Sequence, residues 1–151
     1  MKIQFASIIL FLLASAFFSA SETAFTSLSF LQVRALETDK KKSSKMAAKL
    51  AKSPDILLTT VLIGNNIVNI GASAFTTTLT ISMWGSRAVG ISAGILTFLI
   101  LVFGEISPKQ LAISYNTKFA RMAAYPIKVL SIILYPVIVV TRFIGSLTTR
   151  F

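Results

Sequence analysis

Apolar residues in this chain come in long blocks, without the strict alternation of a half-buried strand or the narrow stripe of a surface helix. Four blocks stand out: Phe5–Phe18, Ile56–Trp84, Val89–Phe103 and Val129–Ile144. A helix needs about 20 residues to cross the hydrocarbon of a bilayer, and the first three blocks reach that length once their polar ends are counted. The first runs on into FFSASETAF (Phe17–Phe25), where two serines, a threonine and Glu22 interrupt the apolar pattern. The fourth, VLSIILYPVIVV, is broken by Pro136, preceded by Pro126 and bracketed by Lys128 and Arg142. It is short for a crossing and fits an interfacial or re-entrant helical hairpin better.

The basic residues fall between these blocks. Arg34, Lys40, Lys41, Lys42, Lys45, Lys49 and Lys52 all lie between the first and second, offset only by Glu37 and Asp39. The excess of Lys and Arg places that segment on the cytoplasmic side. The second and third blocks are joined by WGSR, with the single basic residue Arg87, which predicts a tight hairpin on the opposite side. Lys109, Lys118, Arg121 and Lys128 then return the chain to the cytoplasmic side. A fourth crossing would put Arg142 and Arg150 outside, against the charge bias. The expected fold is therefore an all-α integral membrane domain with its N-terminus outside and its C-terminus cytoplasmic. Its spans are expected over residues 3–30, 55–83 and 88–108, with a basic cytoplasmic segment at 34–53 and juxtamembrane helices at 115–148. A cleavable signal peptide is the rival reading of the first block, but cleavage would leave the basic segment on the wrong side.

Composition agrees with a membrane domain: 54% hydrophobic residues, 13% charged and a mean hydropathy of +0.78 in 151 residues. The net charge of +10 would suggest nucleic acid in a soluble chain. Here topology and the anionic headgroups of membrane lipids account for it, and no nucleic-acid partner is expected. The chain has neither Cys nor His. That excludes disulfides, thiolate or imidazole metal sites, and Cys/His or Ser/His catalysis, so any bound metal must be held by oxygen.

Each predicted span carries a polar cluster: Ser15, Ser19, Ser21, Glu22, Thr23 and Thr26 in the first; Asn65, Asn66, Asn69 and Ser73 in the second; Gly104, Glu105, Ser107 and Pro108 in the third. Helical spacing puts Ser15, Ser19 and Glu22 on one face, and Asn66, Asn69 and Ser73 on another. Small polar residues often serve only as packing and hydrogen-bonding glue between membrane helices, and that reading suits Ser15, Ser27, Ser73, Thr59 and the threonines at 76–78. Asn66, Asn69 and Glu105 point the other way, because a carboxylate at membrane depth costs several kcal/mol and usually marks an ion path or a paired site. Glu22 and Glu105 could instead sit at headgroup level, and Glu105 could pair with Lys109 one turn on. Pro108 removes an amide donor and frees the Gly104 carbonyl, and the SASET hydroxyls compete for backbone carbonyls in the first span. Hydroxyls, amide oxygens, freed carbonyls and one or two carboxylates are donors for Mg²⁺, Ca²⁺ or Na⁺, not for Zn²⁺ or Cu²⁺.

Taken in order, SASETAFTSL (Ser19–Leu28), GNNIVNIGASA (Gly64–Ala74) and GEISPKQLA (Gly104–Ala112) resemble the transmembrane domain of the CNNM/CorC magnesium transporters. The resemblance implies a homodimer of three-helix subunits with juxtamembrane helices at the cytoplasmic surface. It implies export of Mg²⁺ coupled to inward Na⁺ by alternating access, with Ser21 and Asn69 as direct ligands. Glu105 would supply charge near the ion, the Gly104 carbonyl is a weaker candidate, and Ser19, Asn66 and Pro108 would shape the site. Members of that family typically continue into a cytoplasmic CBS pair that binds nucleotide; none is present here, so no nucleotide site is expected and the chain looks like the membrane part of a longer parent. A membrane anchor or ion-sensing module is the rival function. An intramembrane enzyme is the poorest fit, since Lys109 is the lone lysine near the clusters.

Overall fold

The computed structural model describes the backbone of residues 2–148 and the side chains of Gln4 and residues 6–143. Among the described residues the chain is helical, with no strand. Three helical runs are long and apolar enough to span a bilayer: Ala6–Thr26, Pro54–Trp84 and Ser86–Ser114.

Helix α1 (Lys2–Thr26) ends short of the expected residue 30 because Ser29 begins a new helix. The Ser29 hydroxyl accepts the Gln32 N–H at 3.2 Å, and the Gln32 side chain accepts the Ser29 N–H at 2.9 Å. This reciprocal cap satisfies two amides that the first turn would otherwise leave free. The basic segment is then two short helices, α2 (Phe30–Thr38) and α3 (Lys42–Ala51). On α3 the small residues Ser44, Ala47 and Ala48 are buried while Lys42, Lys45 and Lys49 stay exposed. Asp39, in the turn between α2 and α3, accepts the Ser44 hydroxyl at 2.6 Å and the Lys41 N–H at 3.2 Å. It also faces Arg121 at 3.7 Å. The Ser44 hydrogen bond, then the Lys41 amide, and the nearby Lys41 and Arg121 charges hold the Asp39 carboxyl below its ordinary value.

Helix α4 (Pro54–Trp84) starts with proline in its first turn and stops at Gly85, whose φ of +78° favours a residue without a side chain. Its 31 residues at about 1.5 Å each make it about 46 Å long, more than the hydrocarbon thickness, so it tilts or projects beyond the membrane. The third run continues to Ser114, past the expected end at 108. It consists of a short turn (Ser86–Ala88), α5 (Val89–Leu99), a π-helical segment (Ile100–Ile106) and α6 (Ser107–Ser114). Pro108 does not end the run. It stands in the first turn of α6, where its missing N–H costs least.

Helices α7 (Asn116–Ile133) and α8 (Tyr135–Thr148) form the juxtamembrane hairpin, bent by 71°. Pro126 lies inside α7, and the break comes at Leu134, two residues before Pro136. Both ends of the hairpin lie with the basic segment. At its start, the Asn116 side chain donates to the Ser27 carbonyl at 3.0 Å and its Oδ1 accepts from Gln32 at 3.1 Å. At its far end Arg142 meets Asp55, in the first turn of α4, at 3.3 Å. A hairpin that leaves and returns to one end of the bundle is not a fourth crossing.

The best-packed region is at this same end. Phe25, Leu36, Leu57, Val61 and Ile127 meet there around the alanines of α3 and α7. A smaller contact of Ala20, Ala24 and Ala112 brings α1 close to α6. Across the spans themselves large residues such as Leu10, Ile70, Ile91 and Phe98 face outward, as they do where the surroundings are hydrocarbon.

Candidate metal centre

Helix α1 is central: it packs against α4, the π segment, α6 and α7. Its face toward α4 sets the register of the pair. Phe18 lies over Gly64, where a Cβ would stand 2.5 Å from its ring, and Phe11 lies over Gly71, where a Cβ would stand 3.1 Å away. Between these two contacts Ser15, fully buried, donates its hydroxyl to Asn65 Oδ1 at 3.3 Å. Ser15 also touches the third span, because a Cβ on Gly104 would stand 2.9 Å from its Oγ and 3.2 Å from its own Cβ. Gly104 is thus needed for close approach, in addition to any use of its carbonyl. One serine therefore joins all three spans.

Two buried oxygens on the helices of this junction have no hydrogen-bond partner: Ser19 Oγ, one turn along α1, and Asn69 Oδ1, one turn along α4, on opposite sides of the Ser15–Asn65 bond because the two helices run antiparallel. Buried polar atoms are nearly always satisfied, and an unsatisfied one costs about 1–3 kcal/mol, so each of the two is a candidate contact for a water or an ion. The third span contributes the π segment. The Ser107 N–H bonds the Val102 carbonyl five residues back, and such widened turns occur often at functional sites. Glu105 lies in that segment, half-buried, and has no ion-pair partner among the described residues. Ser21 is fully buried and donates to the Phe17 carbonyl at 2.6 Å, which leaves its lone pairs available to a cation.

Not all of the expected residues converge. Asn66 and Ser73 are exposed on α4, turned away from α1, whereas Asn65 and Asn69 face inward. The side of α4 that meets α1 is its small-residue side, with Gly64, Ala72 and Thr76 buried, and it lies roughly one residue round from the stripe that spacing suggested. Lys109 does not pair with Glu105. It reaches Glu22 on α1 at 3.4 Å, with both side chains a little under half exposed, so Glu22 ties α1 to α6. Among the described residues no three acidic side chains cluster. The donors are neutral oxygens and a single carboxylate, a hard set of low charge that suits an ion held and released, not one held permanently.

The profile described as the cyclin M transmembrane N-terminal domain, CNNM, matches residues 6–151. The chain belongs to the CNNM family. Among its relatives, a UPF0053 protein of Haemophilus influenzae is 40% identical over 134 residues, covering 89% of this chain and 32% of that protein. The UPF0053 inner membrane protein YfjD of Escherichia coli is 38% identical over 136 residues, covering 90% of this chain and 32% of the relative. A chloroplastic DUF21 domain-containing protein of Arabidopsis thaliana is 38% identical over 123 residues, covering 82% of this chain and 19% of its own length. This CNNM chain thus spans about a third of the length of the first two relatives.

Within the CNNM domain, Ser19 and Ser21 of SASET lie on α1, Asn65 and Asn69 of NNIVN on α4, and Gly104 and Glu105 of GEISP in the π segment. Ser15 does what the sequence reading gave it, hydrogen bonding and close packing between helices, and it does so to both other spans. What sequence reasoning missed is its partners, Asn65 and Gly104, which helical spacing alone does not name.

Proposed function

We propose that this domain moves Mg²⁺ across the membrane, exporting it in exchange for inward Na⁺ by alternating access. The observation that carries the reading is the pair of buried, unpartnered oxygens, Ser19 Oγ and Asn69 Oδ1, beside a π segment that holds Glu105. Each of these oxygens lacks the partner that a cation supplies. Asn69 and Ser21 are the direct protein ligands, Ser19 stands beside them, and Glu105 and the Gly104 carbonyl supply negative potential from the third span. Mg²⁺ dehydrates reluctantly and keeps several waters, so few protein oxygens are needed.

The working unit is a homodimer. Asn66 and Ser73 stand exposed on a helix at membrane depth, where a second copy satisfies them better than lipid. The domain lies in the cell membrane with its basic segment and the α7–α8 hairpin on the cytoplasmic side, and a CBS pair in the parent protein regulates it from there. Mg²⁺ efflux from proteoliposomes tests the reading, with a Na⁺ gradient imposed or absent. Efflux that needs both the gradient and Asn69, lost in Asn69→Ala while the dimer persists, is the expected result. Equal efflux from Asn69→Ala contradicts the site. Failure of Asn69→Ala to assemble, with no flux to lose in the parent chain, favours the membrane anchor instead.

A further inference from the structure

The basic segment carries a groove that takes no part in the ion site. Lys45, Lys49 and Lys52 stand at i, i+4 and i+7, so they share one face of α3 and of the turn that ends it. With Glu37 and Ser53 they line an open groove of about 400 Å³. A second groove of about 350 Å³ shares Glu37 and Lys52 and is otherwise walled by Leu28, Phe30, Val33, Arg34 and Ala51. One half is cationic and the other largely apolar, and they join at the Glu37–Lys52 ion pair.

The groove lies where two spans leave the bilayer. Leu28 stands two residues beyond the end of α1, and Lys52 and Ser53 come immediately before α4 begins at Pro54. Phe30 and Leu31, at the start of α2, are 72% and 77% exposed. Apolar side chains beside a basic face suit the boundary of headgroups and acyl chains better than open water. The Arg34 guanidinium lies 5.2 Å from the centre of the Phe30 ring, which holds a positive charge at the edge of the apolar half.

The cationic half is short of counter-charge. Glu37 is the one acidic side chain lining either groove, and Lys52 pairs with it. Arg34, Lys45 and Lys49 have no ion-pair partner among the described residues. Like charges one turn apart on a helix repel, as Lys45 and Lys49 do, so an anion held between them stabilises α3. We propose that this groove binds an anionic phospholipid of the leaflet that meets the basic segment. Its phosphate lies against Lys45, Lys49 and Lys52, and the start of an acyl chain lies along Leu28, Phe30 and Val33. Basic pockets beside spans hold charged lipid headgroups in this way. An acidic soluble partner would meet the lysines and leave the apolar half uncovered.

Native mass spectrometry of the full chain in detergent, supplied with equal amounts of phosphatidylglycerol and phosphatidylcholine, tests the proposal. The chain is expected to retain phosphatidylglycerol in preference. Lys45→Gln combined with Lys49→Gln is expected to lower that retention severalfold, and because both side chains are exposed the variant keeps its fold. Lys118→Gln combined with Lys128→Gln removes the same charge from α7 and leaves retention unchanged. Millimolar glycerol phosphate, a headgroup without chains, does not displace the lipid. Equal retention of the two lipids, or an equal loss in the α7 variant, overturns the groove as a lipid site. Displacement by glycerol phosphate overturns it as well, by showing a site for phosphate alone.

Discussion

At the scale of single residues, Gly104 and Ser15 make a demanding contact. Any side chain at 104 meets the Ser15 hydroxyl at 2.9 Å, and overpacking of this kind costs about 1–3 kcal/mol. Gly104→Ala is therefore expected to lower the thermal midpoint in detergent, and Ser15→Gly combined with Gly104→Ala to recover part of the loss. An additive double variant would mean that the two residues do not touch. The sequence marked Gly104 for the carbonyl freed by Pro108, but not for its missing side chain. Helical spacing says which residues share a face, not which face meets which neighbour. That is why the Ser15–Asn65 bond was not legible, and why Asn66, which is exposed, looked nearer the α1–α4 contact than it lies. Ser21 and Glu105 could be picked out because hydroxyl and carboxylate groups are conspicuous in apolar runs.

At the scale of elements, the third span is where pattern and structure part most. Val89–Phe103 reads as an ordinary helix, yet Ile100–Ile106 is π-helical, and nothing in an apolar run announces a shift from four-residue to five-residue hydrogen bonding. The neighbouring Gly104 and Pro108 are the available hints. The basic segment was legible as charge but not as two capped helices, because the Ser29 cap lies inside what looked like the end of a span. Its turn also carries a pH dependence. Asp39 is held below its ordinary value of 3.8 by Ser44 and Lys41, with Arg121 nearby. A depressed carboxyl stabilises the fold at pH above its unfolded value, and that stability drains away as pH falls through the lower folded value. Acid unfolding followed by circular dichroism should therefore show a loss that begins below about pH 4 in the parent chain and is reduced in Asp39→Asn. Identical acid profiles would show that the α2–α3 turn does not draw on this carboxylate.

At the scale of the whole molecule, the long apolar blocks and the placement of Lys and Arg made the three-span architecture readable, since hydrocarbon thickness and charge asymmetry constrain a chain more tightly than local propensity does. The same reasoning placed the last block outside the set of spans, and the Arg142–Asp55 pair at the start of α4 gives the structural reason. The tightest packing lies at the basic end, around Phe25, Leu57 and Ile127; of the unpartnered oxygens, Ser19 Oγ lies beside that packing and Asn69 Oδ1 further into the spans. The central claim is that these oxygens take a cation, and calorimetric titration of the purified domain with Mg²⁺ tests it most directly. Saturable binding in the parent chain is predicted, lost in Asn69→Leu, which replaces the amide with an apolar side chain of similar size and so keeps the fold. Undiminished binding by a folded Asn69→Leu would contradict the account.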